Sequence, residues 1–234
     1  GTHVITMSLG GVGFSPALRA AIQAAIRDGV IVLAAAGNQV GFVVSPANYG
    51  EVIAVAGSNI RDRPWSGSSH GSAVDITAPG ESVHVARAKK GSGGTNQYST
   101  GLGSGTSFAV ALTAGVAALW LAHHGRDALI ARFGKANLQA VFADAVRRSA
   151  RRPNGWDTSE YGPGIVDADA LLAAGLPATV PPLATGAELP RPESLTPAER
   201  LAAYLPDQSS VTAAGALDAL VGDTPDRDLY AGEI

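Results

Sequence analysis

The chain has 234 residues, of which 46% are hydrophobic and 16% charged, so it can form one sizeable core with an extension. The formal net charge of −3 gives no electrostatic reason to expect nucleic acid or an anionic membrane as a partner. The absence of cysteine excludes disulfides.

Strand and helix patterns alternate from the start of the chain. The apolar run at 4–9 predicts a buried strand. A helix should follow, with Ser15 as its N-cap, Pro16 at its first position and Gly29 just beyond its end. Apolar residues recurring every four positions give this helix one face for packing.

Two further apolar runs, 30–35 and 52–56, predict strands that are buried on both sides. Continuously apolar strands that alternate with helices are typical of parallel sheets covered on both faces. We therefore predict an α/β fold, a doubly wound parallel sheet sandwiched by helices. Ligands in such folds bind beyond the carboxyl ends of the strands.

The rest of the first 176 residues predicts a loop-rich region followed by helices. The loop-like stretch covers 59–100 and includes two short strands, at 73–77 and 82–86. A long buried helix (107–123), one or two helices (127–150) and a closing turn, strand and small helix (161–176) follow it. The longest apolar run, 108–122, is shorter than the roughly 20 residues of a spanning helix, so no membrane span is predicted.

The composition changes after residue 176. We predict a main domain over 1–176, a linker over 177–197, which carries six prolines, and a short helical extension over 198–234. Within the extension, helices are predicted near 198–204 and 211–221.

Ser107 stands where a glycine-rich turn meets the start of the long helix. A nucleophilic serine needs an exposed hydroxyl, a neighbouring base and donors for an oxyanion, and a helix start offers free N–H groups. Taken alone, the pattern is as often simple helix capping.

Six segments in order along the chain resemble the motifs of the subtilase (peptidase S8) family of serine proteases. They are MSLGG (7–11), AAAGN (34–38), PANYGEVIAVAGS (46–58), DITAPG (75–80), GTSFAVALTAG (105–115) and GIVDADALL (164–172). The resemblance covers about residues 4–176 and implies a subtilisin-like catalytic domain. Phe108 and Ala111 depart from the Met and Pro usual in the serine motif.

The resemblance implies a role for each matching residue. Ser107 would be the nucleophile, and Asn38 would donate its amide to the oxyanion together with the Ser107 N–H. Thr106 would support the oxyanion weakly, or only pack. The alternative for Asn38 is a left-handed turn residue after Gly37.

Two further segments are implied to bind the substrate. One would pair with its backbone as an added strand, and the other would form one wall of a roomy apolar specificity pocket. The first is Ser8, Leu9 and Gly10, and the second is Ala35, Ala36 and Gly37.

The family's aspartate and histidine motifs precede the groove strand, and this chain begins at that strand. We therefore expect a fragment that is inactive alone, with the N-terminal fragment carrying Asp and His as a partner. None of the five histidines is predicted to act as the base: His3 lies at the amino end of its strand, His70 in a solvated turn, His84 on a strand face, and His123 and His124 at the far end of the long helix.

The resemblance also bears on ligands and location. It implies a peptide or protein substrate, no organic cofactor, and secretion. Calcium is common in the family, but no dense carboxylate loop is visible in this sequence, so no metal ligands are predicted.

A catalytically silent interaction module with the same fold stays open. A dinucleotide site fails because Pro16 occupies the place of its last glycine. A hydrolase elbow at 67–71 is not flanked by a strand and a helix. The basic residues Arg147, Arg148, Arg151 and Arg152 predict a solvated face, with partner docking as the alternative.

Overall fold

The computed structural model describes residues 1–91 and 94–182. The predicted helical extension, and all of the linker beyond residue 182, lie outside the described residues. The strands are β1 Val4–Met7, β2 Ile31–Ala35, β3 Ile53–Ser58, β4 Ile76–Pro79, β5 Val83–Lys90 and β6 Asn96–Gly103. The helices are α1 Pro16–Arg27, α2 Thr106–His124, α3 Arg126–Phe133, α4 Leu138–Arg148 and α5 Ala168–Ala173, with a 3₁₀ turn at Lys135–Asn137.

The centre of the fold is a parallel sheet in the order β1-β2-β3-β4. Strand β2 is buried at all five positions and β3 at all six, as expected of strands covered on both faces. One face packs against α2, α3, α4 and α5, and the other against α1. The predicted α/β, doubly wound architecture is confirmed.

Local signals correctly placed the first helix. The Ser15 side chain accepts a hydrogen bond from the backbone N–H of Leu18, and Pro16 is the first helical residue. The helix ends before Gly29, whose φ of 80° lies in the left-handed region that glycine adopts without strain. Both boundaries depend on neighbouring residues, which is why the sequence reveals them.

The region predicted as loop with a short strand at 82–86 contains a long hairpin instead. Strands β5 and β6 pair antiparallel over eight residues each, from Val83 opposite Gly103 to Lys90 opposite Asn96. Most of their side chains are exposed. Because no face of β6 is buried, its sequence lacks the apolar alternation by which strands are recognised.

Helix α2 crosses the middle of the molecule and packs against all four strands of the parallel sheet. With 19 residues and a mean hydropathy of 1.5 it could cross a membrane by length and composition, and it is the one such helix among the described residues. The helix is longer than the apolar run 108–122 from which the sequence predicted no membrane span. Core helices of soluble proteins meet the same criterion, so the criterion alone is weak evidence for a membrane span.

Candidate active site

Ser107 lies at the carboxyl edge of the parallel sheet, as the second residue of α2. The preceding loop is fixed there by a hydrogen bond of 2.7 Å from the Gly105 N–H to the carbonyl of Gly80, directly after β4. Among the described residues no acceptor is recorded for the backbone N–H of Ser107. That free N–H is one of the unpaired donors at a helix start, where the helix dipole is positive.

Asn38 reaches this loop from the end of β2. Its Oδ1 accepts hydrogen bonds from both the backbone N–H and the hydroxyl of Thr106, each at 2.9 Å. Because a backbone N–H can only donate, the atom facing it must be the carboxamide oxygen. The amide nitrogen of Asn38 therefore points away from Thr106 and lies beside Gly105.

The amide Nδ2 of Asn38 donates no hydrogen bond to any acceptor within the described residues. Two N–H donors, this amide at the end of β2 and the backbone N–H of Ser107 at the start of α2, are thus available on either side of Thr106. Such a pair can bind the negative oxygen that develops when a serine adds to a carbonyl carbon.

The turn alternative for Asn38 is wrong. The non-glycine residue with a left-handed backbone is its neighbour Gln39, with φ of 60°. Gly37 has φ of 113°, and a Cβ there would lie 2.8 Å from the Ser69 hydroxyl. Gly37 and Gln39 supply the turn, and Asn38 is left to direct its side chain at Thr106.

The segment predicted to pair with a substrate lies on the same edge of the sheet. Ser8 donates its hydroxyl to the backbone carbonyl of Ser107 at 3.4 Å. Leu9 is exposed, and Gly10 packs so closely against Val44 that a Cβ there would meet its methyl group at 2.4 Å. Pairing of this segment with a substrate stays a prediction.

The side chains of Ala35 and Ala36 are buried on opposite faces of the sheet. They therefore cannot line an open pocket, and only the backbone of this segment could contact a substrate. That the backbone of Ala35, Ala36 and Gly37 forms one wall of the specificity pocket stays a prediction.

None of the histidines is hydrogen-bonded to Ser107 within the described part of the chain. His3 precedes β1, at the amino end of the sheet. His70 pairs with Glu160 at 2.7 Å, and both side chains are partly exposed. His84 is exposed on β5. His124 ends α2, about 26 Å along the helix from Ser107.

Sequence reasoning missed several buried polar contacts. Gln139 of α4 is buried and bonds the N–H and carbonyl of Val32 and the carbonyl of Glu51. Asp75 bonds Arg147 and the N–H of Ala54. Burial raises the pKa of Asp75 despite these contacts, which act to lower it. The partners are distant in sequence, so no local pattern announces them.

Of the four arginines predicted to form a solvated face, Arg148, Arg151 and Arg152 are exposed and Arg147 is partly buried. Each makes a specific contact: Arg147 with Asp75, Arg148 with Asp144, Arg151 with Asp62, and Arg152 with the carbonyl of Pro163. These residues anchor α4 and the segment after it to the rest of the fold.

Within 1–91 and 94–182, no three His, Cys, Asp or Glu side chains are grouped so that they could hold a metal ion. The described residues therefore do not fit a calcium site built from side-chain carboxylates. No chemical step is assigned to a metal.

Comparison with known proteins places this geometry in context. The model of the subtilase family matches residues 1–164. Thermitase from Thermoactinomyces vulgaris is 40% identical over 129 residues, covering 55% of this chain and 43% of thermitase. An extracellular protease from Xanthomonas campestris is 33% identical over 177 residues, covering 74% of this chain and 29% of that protein.

A solved protease structure from Pseudoalteromonas arctica superposes with a TM-score of 0.62 at 31% identity, covering 73% of this chain and 50% of that one. The chain spans less than half the length of these two curated relatives.

Proposed function

The chain belongs to the subtilase family, and from that membership we propose that it is the nucleophile-bearing part of a serine endopeptidase. The observation that carries the proposal is the contact between Asn38 and Thr106, which leaves the Asn38 amide N–H free beside the residue that precedes Ser107, whose own N–H is also free. The proposed domain is residues 1–176, with 177–197 as linker and 198–234 as extension.

In the proposed reaction the hydroxyl of Ser107 attacks the carbonyl carbon of a peptide bond. Its proton passes to a histidine of a segment outside this chain, and an aspartate of that segment orients the histidine. The oxyanion is bound by Asn38 Nδ2 and the Ser107 N–H, and Thr106 holds Asn38 in position. The histidine then protonates the leaving amine, and water hydrolyses the acyl-enzyme.

The substrate would lie extended along Ser8–Gly10, pairing with backbone groups beyond the end of β1. The backbone of 35–37 would border the pocket for the side chain before the cleaved bond. Secretion is proposed from the relatives, one of which is named an extracellular protease.

The segment that supplies Asp and His has a surface to dock on. Strand β1 ends the described order of the parallel sheet, so its outer edge offers unpaired backbone groups to a further strand. Beside it, α2 exposes an apolar stripe at helical spacing: Ala111, Leu112, Gly115, Ala118, Leu119 and Ala122. Leu112 and Leu119 are 45% and 55% exposed. We propose that this α2 stripe and the β1 edge bind that segment.

An open groove of about 380 Å³ continues the same surface toward the end of α2. It is lined by His3, Val4, Ala118, Leu121, Ala122, Gly125 and Arg126. The groove lies a helix length from Ser107, so it belongs to the docking surface and not to the catalytic site.

A fluorophosphonate probe, which labels activated serines, tests the function. The chain alone should be labelled weakly, and addition of the preceding polypeptide segment should give strong labelling and peptide hydrolysis, both lost in Ser107→Ala. Strong labelling of the chain alone would show that it already contains a base. Absence of labelling with the intact coding sequence would favour the silent interaction module.

A pair of charge substitutions on α2 tests the proposed docking surface. Leu112→Lys with Leu119→Lys should abolish the labelling gained on adding the segment, because two charges would be buried on docking. Ile60, which is 96% exposed in the turn after β3 and is not part of the α2 stripe, serves as the matched position. Labelling that survives in the double variant, or is lost equally in Ile60→Lys, would contradict the α2 stripe as the docking surface.

A further inference from the structure

The hairpin of β5 and β6 forms a basic ribbon beside the nucleophile. No Asp or Glu occurs between Glu81 and Asp127, whereas Arg87, Lys89 and Lys90 all lie on β5. Within the described ranges none of these three cations pairs with a carboxylate. An uncompensated row of positive charge on an exposed ribbon attracts acidic ligands.

The ribbon is physically joined to the catalytic loop. A Cβ at Gly103, the last residue of β6, would lie 2.5 Å from the ring of Phe108, so this ring occupies the space that a side chain would take. Phe108 directly follows Ser107. A ligand that lies along the ribbon therefore passes next to the reacting serine.

One face of the ribbon carries both Phe108 and two of the cations. Arg87 and Lys89 point to the same side as Gly101 and Gly103, because cross-strand partners and alternate residues share a face. Arg87 lies over Gly101, where a Cβ would be 2.4 Å from its Nε, and donates to the carbonyl of Leu102 at 2.7 Å. Its guanidinium is thereby fixed on this face.

We infer that this face of the hairpin binds an acidic segment of the protein substrate next to the cleaved bond. The inference rests on the proposed function. The residues opposite Arg87 and Lys89 are Ser99 and Gln97, four and six positions from Gly103. At about 3.3 Å per residue, an extended substrate would bring carboxylates roughly four to six residues from the reacting carbonyl opposite these cations.

Nucleic acid is the competing acidic ligand, since Tyr98 is also exposed on the ribbon. Peptide is favoured because the basic face continues into the catalytic loop, and because nucleic-acid sites usually need more phosphate contacts than three cations can make. An oligonucleotide therefore belongs in the test.

The first test measures binding to the whole chain by fluorescence anisotropy. A labelled peptide of about ten residues rich in Glu should bind about tenfold more tightly at low salt than its Gln counterpart, and rising salt should weaken it. Arg87→Gln with Lys89→Gln should remove the difference, because both residues lie on the proposed face. Arg61→Gln with Arg63→Gln, an exposed basic pair elsewhere, should leave it intact.

Equal binding of the Glu and Gln peptides would overturn the inference, as would an equal loss in both double variants. The assignment to peptide would be overturned if a single-stranded oligonucleotide of similar length bound more tightly than the Glu peptide and its binding were lost in Arg87→Gln with Lys89→Gln.

The second test separates this inference from the proposed function. In the complete enzyme, substrates with Glu four to six residues from the cleaved bond should show kcat/KM about three- to tenfold above Gln substrates, and Arg87→Gln with Lys89→Gln should bring the ratio to one. Hydrolysis without any preference overturns the hairpin inference and leaves the proposed function intact. Hairpin-dependent binding without hydrolysis of any substrate supports the acidic-peptide surface and rejects the proposed function.

Discussion

Thr106 orients Asn38 by directing its backbone N–H and its hydroxyl at one oxygen, with the carbonyl of Gly37 as a second, longer acceptor for the hydroxyl at 3.2 Å. Its backbone N–H and its hydroxyl each lie 2.9 Å from Asn38 Oδ1. A carboxamide held at its oxygen has one direction left for its N–H group, and here that direction leads toward Gly105. In the proposed reaction, the residue before Ser107 would thus orient the donor for the transition state in advance, with no reorganisation needed.

Removing the Thr106 hydroxyl should impair catalysis through Asn38. Thr106→Val keeps the backbone donor and loses the side-chain donor, so the carboxamide is held by one hydrogen bond. We expect kcat to fall about tenfold in the complete enzyme with KM nearly unchanged, because the lost alignment matters mainly in the transition state. Thr106→Ser should restore most of the activity. Equal kcat for the Val and Ser variants would show that Thr106 only packs.

Replacing Asn38 tests its role as a donor. Asn38→Ala should lower kcat about 100- to 1,000-fold, the scale measured when one oxyanion donor is removed from a subtilisin. Asn38→Asp retains the oxygen that accepts from Thr106 and exchanges the donor for a negative oxygen. Its kcat should fall at least as far. A mild effect of Asn38→Asp beside a severe effect of Asn38→Ala would indicate that Asn38 serves the fold and not the oxyanion.

The sequence predicts those parts of this fold that depend on short stretches of chain. Ser15 and Gly29 mark the ends of α1 because caps and left-handed glycines act within one turn. Strand β6 escaped prediction because its pairing with β5 is made by exposed small and polar residues. Its stability depends on the partner strand and not on its own pattern.

The candidate site likewise combines residues that the sequence predicts with contacts that it does not. Asn38 and Ser107 stand at the ends of predictable elements, so their motifs could be recognised. The contact between Asn38 and Thr106 joins positions 68 residues apart. Gln139 and Val32 are 107 apart. Contacts of this kind follow from the folded arrangement alone.

Gln139 should contribute strongly to stability. Gln139→Leu preserves volume but leaves the N–H and carbonyl of Val32 and the carbonyl of Glu51 without this partner. Since each unsatisfied buried backbone group costs about 1–3 kcal/mol, we expect the free energy of unfolding to fall by about 3 kcal/mol in urea titrations. Gln97→Leu on the exposed hairpin should change it little. Similar stabilities for the two variants would contradict a structural role for the Gln139 contacts.

Glu51 should make stability depend on pH in the acid range. Burial alone would raise the pKa of Glu51, but hydrogen bonds from Arg19, its own backbone and Gln23, with the charge of Arg19, bring it below the ordinary value of 4.5. The distances are 2.7 and 3.0 Å to Arg19 and 3.0 Å to Gln23. Because the folded-state pKa is the lower one, the unfolded chain binds more protons between the two values, and stability rises with pH there.

The contribution of Glu51 is therefore complete above about pH 4.5 and is lost as the pH falls through the folded-state pKa. Glu51→Gln should lower the free energy of unfolding by about 1–2 kcal/mol at neutral pH, since one charged acceptor is lost from a half-buried pair. The difference from the unmodified chain should shrink in urea titrations below pH 4.5. Glu81→Gln, at a carboxylate without an ion pair among the described residues, is the matched control variant. A constant or widening difference toward acid pH would mean that the Arg19 contacts do not depend on the charge of Glu51.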